Sequence, residues 1–405
     1  MRLPEHAAHA IRRLERAGFE AWAVGGCVRD SLRGVESHDW DLCTSASPAQ
    51  MQAVFADARV LTTGLRHGTL TVLTDGGPLE ITTYRTEGGY SDGRHPDGVR
   101  FVTDIREDLA RRDFTVGAMA WHPERGLCDP FGGQTDLKNG VLRAVGDADT
   151  RFQEDALRIL RGLRFASKLG FAIEPETAAA MRRQVHRLDC IAAERIREEL
   201  TGLLCGRYVQ RTLMAYADLI TSALPELAPM QGCQQQNPHH LYDVWEHTLH
   251  AMEKVKPEPE LRLTMLLHDI GKEAVSGDLD DMDAPLIVEE IHYVRLHAQA
   301  SYEILKKEGY KETILLAVRH HHENYDGSGY PDNLSGEAIP LGARIIRVCD
   351  VYAALTSDRP YRQAFESQSA VQLMIEEIKD FDVKVFLAFQ RMIHKNKEKE
   401  ITLWH

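Results

Sequence analysis

The sequence predicts an α+β fold: a small mixed-sheet head, a helical neck and an all-α C-terminal domain. Three observations predict it. Strand candidates gather in the first hundred residues, helical periodicity takes over from about 151, and ten of nineteen histidines fall between 239 and 322. A chain of 405 residues is too long for one ordinary core, so several domains are expected. We place them at 1–150, 151–232 and 233–405.

Residues 1–20 read as an amphipathic helix, with Ala7, Ile11, Leu14 and Ala17 at helical spacing. The period then changes. Ala21-Trp22-Ala23-Val24 is an apolar strand candidate ending in Gly25-Gly26. Leu70–Leu73 and Leu79–Thr83 read as strands around the turn Asp75-Gly76-Gly77-Pro78. Residues 85–100, with four glycines and a proline, are expected to form a mobile loop. From 151 to about 225 the pattern is helical. Pro225, Pro229 and Pro238, with Gln234–Gln236 between them, mark a boundary. Helices return from 239, broken at Tyr325-Asp326-Gly327-Ser328-Gly329-Tyr330-Pro331.

Composition bounds the function. Hydrophobic residues make up 43% and charged residues 27%, an ordinary globular balance. No apolar run reaches the roughly 18 residues a membrane span needs, and no apolar signal stretch follows Met1, so no membrane partner is expected. Seven scattered cysteines without a Cys-x-x-Cys pair argue for a reducing, cytoplasmic setting. The net charge of −13 is uneven: −5 in 1–150, +2 in 151–232 and −10 in 233–405. A nucleic-acid partner would therefore have to use the Arg-rich middle.

The head carries Gly25-Gly26-Cys27-Val28-Arg29-Asp30 and then His38-Asp39-Trp40-Asp41-Leu42. Alternation puts Asp39 and Asp41 on one strand face and Trp40 on the other. Two such carboxylates suit one or two Mg²⁺ ions, which activate a hydroxyl and steady a leaving pyrophosphate. The glycine turn lets backbone N–H groups approach a triphosphate, and Arg29 can pair with it. Further on, Asp155 and Arg158 stand three apart, on one face if the segment is helical. Arg offers donors and Asp acceptors, enough to read the edges of cytosine and adenine. Arg161 and Arg164 extend that face toward a phosphate or RNA.

The C-terminal part spreads His247, His268-Asp269, His297, His321-His322 and Asp350 over several helices, with Asp243 one turn before His247. Imidazole and carboxylate ligands in this number suit a mono-, di- or trinuclear Mn²⁺, Fe²⁺, Ni²⁺ or Mg²⁺ centre. Asp350 sits in an apolar helix, where an unpaired carboxylate would be costly. Lys272, just after His268-Asp269-Ile270-Gly271, could bind a substrate phosphate.

The head motifs resemble the polymerase-beta-like nucleotidyltransferases, and more closely the class II tRNA nucleotidyltransferases (CCA-adding enzymes) and bacterial poly(A) polymerases. The resemblance covers roughly residues 20–230. It implies Asp39 and Asp41 as the metal pair and Glu80 as a third carboxylate activating the 3′-hydroxyl. It implies Arg111, Arg112 and Asp113 as contacts to the incoming nucleotide's ribose and phosphates. Four residues after that Asp, this chain has Gly117 where the family usually has Asn. Asp129-Pro130-Phe131-Gly132-Gly133 matches the family's hinge-like turn, and Glu154–Arg158 its protein template. Glu194, Arg195, Glu198 and Glu199 match its neck block. The C-terminal motifs resemble the HD phosphohydrolases, with the HD-GYP flavour of His321 to Pro331.

Together these resemblances imply addition of CCA, from CTP and ATP, to tRNA 3′ ends. They add an HD phosphohydrolase acting on phosphomonoesters or 2′,3′-cyclic phosphates, with no DNA partner. The retained 85–100 loop favours adding the terminal A. No long tRNA-gripping tail is expected after the HD domain. The alternatives are CC-only, A-only or poly(A) synthesis, a phosphohydrolase (including a cyclic dinucleotide phosphodiesterase) with a nucleotide- or RNA-binding head, and a regulatory protein with both sites inactive. Oligomeric state is left open.

Overall fold

Four apolar residues, Ala21 to Val24, form a strand buried on both faces, and the head assembles around it. The computed structural model describes all residues except 2, 38, 89–97, 234–241, 277–287, 359–362 and 402–405. The chain divides into two compact units, Met1–Glu199 and Leu200–His405.

The first unit begins with α1 (Glu5–Arg16), β1 (Ala21–Val24), α2 (Gly26–Leu32), β2 (Asp41–Thr44), α3 (Pro48–Val54) and β3 (Val60–Leu61). Next come β4 (Thr69–Thr74), β5 (Gly77–Thr83), β6 (Arg85–Glu87), β7 (Val99–Phe101), α4 (Ile105–Ala110), β8 (Ala120–His122) and β9 (Gly126–Cys128). The unit closes with α5 (Gly133–Asn139), β10 (Val141–Leu142), α6 (Ala148–Glu154), α7 (Leu157–Leu169), β11 (Ala172–Ile173) and α8 (Pro175–Gln184). Helix α9 (Ala193–Leu204) leads into the second unit.

The main sheet is mixed, ordered β3-β4-β5-β2-β1-β8-β9, with β2 and β5 parallel. Strand alternation sorts its side chains into two cores. Ala21, Ala23, Leu42, Leu79 and Ile81 pack with Ile11 and Leu14 of α1. Trp22, Val24 and Cys43 pack with Tyr84, Ile105 and Leu109 on the other face. The apolar stripe of α1 is Ala7, Ala10, Ile11 and Leu14. Ala17 does not join it, because the helix ends at Arg16 and Gly18 turns the chain at φ +87°.

The segment 85–100 is not one loop. Its ends pair as the antiparallel ribbon β6–β7, and residues 89–97 lie outside the described residues. Arg85-Thr86-Glu87 and Val99-Arg100-Phe101 carry the β-branched and aromatic character that favours pairing, and Gly88 N–H donates to Gly98 O at 2.8 Å beyond them.

The second unit is all helical among its described residues: α10 (Val209–Ala215), α11 (Ala217–Ala223), α12 (Val244–Met252), α13 (Pro259–Leu267) and α14 (Lys272–Ser276). Then follow α15 (Val288–Lys307), α16 (Glu312–Arg319), α17 (Leu341–Leu355), α18 (Ser367–Glu376) and α19 (Val383–Ile401). Among the described residues no helix is long and apolar enough to cross a membrane.

Candidate active site and candidate metal centre

In the head, register brings two carboxylates together that lie far apart in sequence. Asp41 opens β2 and is the direct parallel partner of Glu80 on β5. Asp39 and Trp40 both precede the strand, so the two aspartates do not share the strand face that alternation predicts; Asp39 is exposed and Trp40 buried. Burial, reinforced by the charges of Asp39 and Glu80 and offset by Arg112, pushes the Asp41 carboxyl up to about 6. A carboxylate so disfavoured among like charges is a place where a cation binds well.

The glycine turn faces the same edge. Gly25 has φ +79° and ψ −131°, a region essentially reserved for glycine, and its N–H donates to Met119 O at 3.3 Å. A Cβ there would lie 3.0 Å from Nη1 of Arg112, and one on Gly26 would lie 3.7 Å from Nη2 of Arg29. Gly25→Ala is therefore expected to cost roughly 1–3 kcal/mol in stability and, on the function proposed below, to raise the KM for nucleotide by displacing Arg112. Thermal melts with nucleotide titration check it, and a wild-type KM would count against it.

The arginines are held from behind. Buried Asp108 accepts from Arg111 Nη2 at 2.9 Å and Arg112 Nη2 at 3.4 Å, and from the backbone N–H of Arg85 at 3.3 Å. The sequence reading did not single out Asp108. Its signal was present, since a carboxylate three and four residues before two arginines is their natural helical partner. Arg112 Nη1 also donates to Gly117 O at 3.3 Å. A side chain at Gly117 would first meet Asp113 at 3.7 Å, ordinary contact distance. Asp113 pairs with Arg161 at 2.8 Å, and Arg29 with its neighbour Asp30 at 2.8 Å.

Asp155 and Arg158 do not share one helix face. The helix breaks between α6 and α7, and Asp155 is extended at φ −144°. The cause is local: its Oδ1 accepts the Leu157 N–H at 3.0 Å, a side-chain bond that competes with the helix. Arg195 of α9 holds its other oxygen at 3.3 Å, and Arg158 pairs with Glu154 at 2.6 Å. Arg164 pairs with Glu199, also of α9, at 2.5 Å. Three guanidinium groups, from Arg29, Arg161 and Arg164, lie 5.5, 5.8 and 4.7 Å from the ring of Phe165, which the sequence reading passed over.

In the second unit, two groups offer ligand atoms within 4.8 Å of one another: Asp269 with His297, His321 and His322, and His247 with His268 and Asp350. The head carboxylates form no group that tight among the described residues. Asp269 joins the two histidine groups. Its Oδ1 is 3.3 Å from His297 Nε2 and 3.8 Å from His321 Nε2, and its Oδ2 is 3.3 Å from His268 Nε2. His247 Nε2 lies 2.8 Å from Asp350 Oδ1.

The imidazoles are aimed from outside. His268 Nδ1 bonds Met265 O at 2.7 Å and His321 Nδ1 bonds Val318 O at 2.5 Å, which turns each Nε2 toward the cluster. Gly271 lets the His268-Asp269 turn press onto α15, because a Cβ there would lie 2.4 Å from Ser301 N. Burial and the neighbouring histidines push His321 down to about 3, so it stays a neutral donor. Burial alone would raise Asp269, but His268 and Lys272 hold it well below the usual carboxylate range. Oδ1 of Asp269 and Nε2 of His268 are buried without a well-directed hydrogen bond, the state expected of atoms whose partner is a metal ion. The donor set fits one.

Lys272 Nζ stands 2.7 Å from Asp269 Oδ2. Asp243 lies outside both groups: it caps α12, accepting from Glu246 N at 2.7 Å and Gly232 N at 2.8 Å.

Comparison with known proteins agrees with this layout. Residues 21–143 match the model of the poly A polymerase head domain. Residues 170–231 match that of the probable RNA and SrmB-binding site of polymerase A, and 217–385 that of an HD domain. The CCA-adding enzyme of Limosilactobacillus fermentum is 49% identical over 214 residues, 53% of each chain. That of Leuconostoc citreum is 49% identical over 212 residues, 52% of each. The match thus spans about half the length of these curated relatives. Among solved structures, the Bacillus stearothermophilus CCA-adding enzyme in complex with CTP aligns with a TM-score of 0.53 at 23% identity, covering 98% of this chain and all of that one. The Thermotoga maritima enzyme complexed with tRNA aligns at 0.51 and 19%, covering 93% and 96%. At these identities the likeness is one of fold.

Proposed function

We propose that the chain adds C, C and A, from CTP and ATP, to the 3′ end of tRNA in the cytoplasm. We further propose that its second unit is a metal-dependent phosphohydrolase for phosphomonoesters or 2′,3′-cyclic phosphates. The observation that carries the first reading is the registered pair Asp41–Glu80, with Asp39 beside it and the Gly25 turn and Arg112 against the same edge.

Asp39 and Asp41 would hold Mg²⁺. When bound, that ion activates the terminal 3′-hydroxyl and neutralises charge on the departing pyrophosphate. The residues do the rest. Glu80 accepts the hydroxyl proton as the 3′-oxygen bonds to the α-phosphorus and the bond to the β-phosphate oxygen breaks. The Gly25-Gly26 backbone and Arg29, Arg111 and Arg112 hold the triphosphate, and Asp113 the ribose. Asp155 and Arg158, each tied to a partner, present acceptors and donors to the base, while Arg161 and Arg164 contact phosphate or tRNA.

In the second unit, His247, His268, Asp269, His297, His321, His322 and Asp350 would hold Mn²⁺, Ni²⁺, Fe²⁺ or Mg²⁺, which activates water and polarises the phosphate. Lys272 sits at the shared carboxylate, where it can bind that phosphate.

The test is incubation of the full chain with tRNA lacking CCA and labelled nucleotides. CTP should add two residues and ATP a third after them. Incorporation of neither would sink the reading, and unlimited ATP addition would replace it with poly(A) synthesis. Asp155→Ala and Arg158→Ala are expected to erode the preference for CTP and ATP over UTP and GTP by roughly tenfold or more, with a smaller fall in kcat. Unchanged selectivity in both variants would remove the base-reading role.

A further inference from the structure

Arg347 stands on α17 three residues before Asp350, so the two share a face of that helix. It is half-buried, and its Nε and Nη2 donate to a single atom, Oδ1 of Asn324, at 3.2 and 2.9 Å. Asn324 lies two residues after His322 in the loop that follows α16. A neutral amide oxygen occupies two of the five guanidinium N–H groups and offsets none of the charge.

The nearby cations differ. Arg344 on the same helix is paired with Asp382 at 2.6 Å, Arg319 with Asp332 at 3.1 Å, and Lys272 with Asp269 at 2.7 Å. Among the described residues no carboxylate pairs with Arg347. Taking an uncompensated guanidinium partly out of water is unfavourable unless an anion joins it. Tyr330, in the same loop as Asn324, stacks its ring on His322 at 4.8 Å.

We infer that Arg347, fixed in orientation by Asn324, is a second phosphate-binding residue of the histidine–aspartate centre beside Lys272, holding the phosphate group of a phosphate-ester substrate. The fork left free by Asn324 comprises both Nη1 hydrogens and one on Nη2, which matches two oxygens of one phosphate. The inference rests on the phosphohydrolase reading above and adds the specificity residue.

The test uses the full chain saturated with Mn²⁺, titrated calorimetrically with inorganic phosphate and assayed on p-nitrophenyl phosphate. Arg347→Gln should weaken phosphate binding about tenfold or more, as expected for loss of a charged hydrogen-bond pair, and raise KM in parallel. Its metal content and CTP incorporation should stay at wild-type levels. Arg347→Lys should fall between, since it keeps the charge and loses the fork. Asn324→Asp, which offers the guanidinium a competing carboxylate, should also weaken phosphate binding. Equal phosphate affinity in Arg347→Gln, or loss of metal together with phosphate, overturns the inference. Phosphate binding that depends on Arg347 without hydrolysis of any ester would instead sink the phosphohydrolase reading and leave Arg347 a binding residue.

Discussion

Asp41→Asn should nearly abolish nucleotide incorporation while making the metal-free protein more stable. The loss follows from removing one of two proposed Mg²⁺ ligands. Metal stabilisation of a phosphoryl transition state is worth several kcal/mol, so a fall of roughly 10³ or more is expected. The gain in stability follows from the surroundings. Burial, Asp39 and Glu80 raise the folded carboxyl from its ordinary 3.8 to about 6. For a raised carboxylate the folded state binds more protons than the unfolded between those two values, so stability falls as pH rises through that window. The cost of ionisation at neutral pH is on the order of 1–2 kcal/mol after allowance for partial solvent screening. Asparagine removes it. In EDTA, the gain in melting temperature of Asp41→Asn over wild type should therefore be larger at pH 7.5 than at pH 5. Incorporation within tenfold of wild type would refute the metal assignment, and an unchanged pH dependence would refute the repulsion.

Asp269→Asn should have the opposite effect on stability and strip the second unit of its ions. Asp269 stands among His268, His297, His321 and Lys272, and these neighbours hold its carboxyl well below the ordinary range. A depressed carboxylate stabilises the fold above its unfolded value and loses that contribution as pH falls. The amide cannot supply the charge, so the metal-free variant should melt lower than wild type. It also reaches both ligand groups, so metal content measured on the full chain should fall for both together. His322→Ala, which belongs to one group, should lose less metal. Hydrolysis of phosphate esters should drop at least about 10²-fold in Asp269→Asn, the upper range seen when metal-site support is removed. CTP incorporation should be retained, and that reports on folding. Full metal content in Asp269→Asn would show that the carboxylate does not join the two groups.

The sequence reading was strongest where the signal is local. The strand at Ala21–Val24 and the hairpin at Asp75 depend on residues within a few positions of one another, and both stand as expected. It failed where a side chain competes with the backbone over the same short range. Asp155 draws the Leu157 N–H into a turn, and Asp243 spends its carboxylate on capping α12. Both carry an acid beside a helical pattern, and spacing alone does not separate a cap from a ligand.

By itself the sequence determined the α+β class and the side-chain types available at each candidate site. These depend on composition, on period and on side-chain type, all carried by the local chain. What only the tertiary structure decided is which of those residues meet. Asp41 and Glu80 are neighbours because β2 and β5 pair in parallel register across a separation of 39 positions. His247 reaches Asp350 across 103. The arginine pair is set by buried Asp108, and two N–H groups of Arg347 are held by Asn324. Such pairings are fixed by how apolar faces of distant elements pack, a property of the whole core to which no single motif gives access.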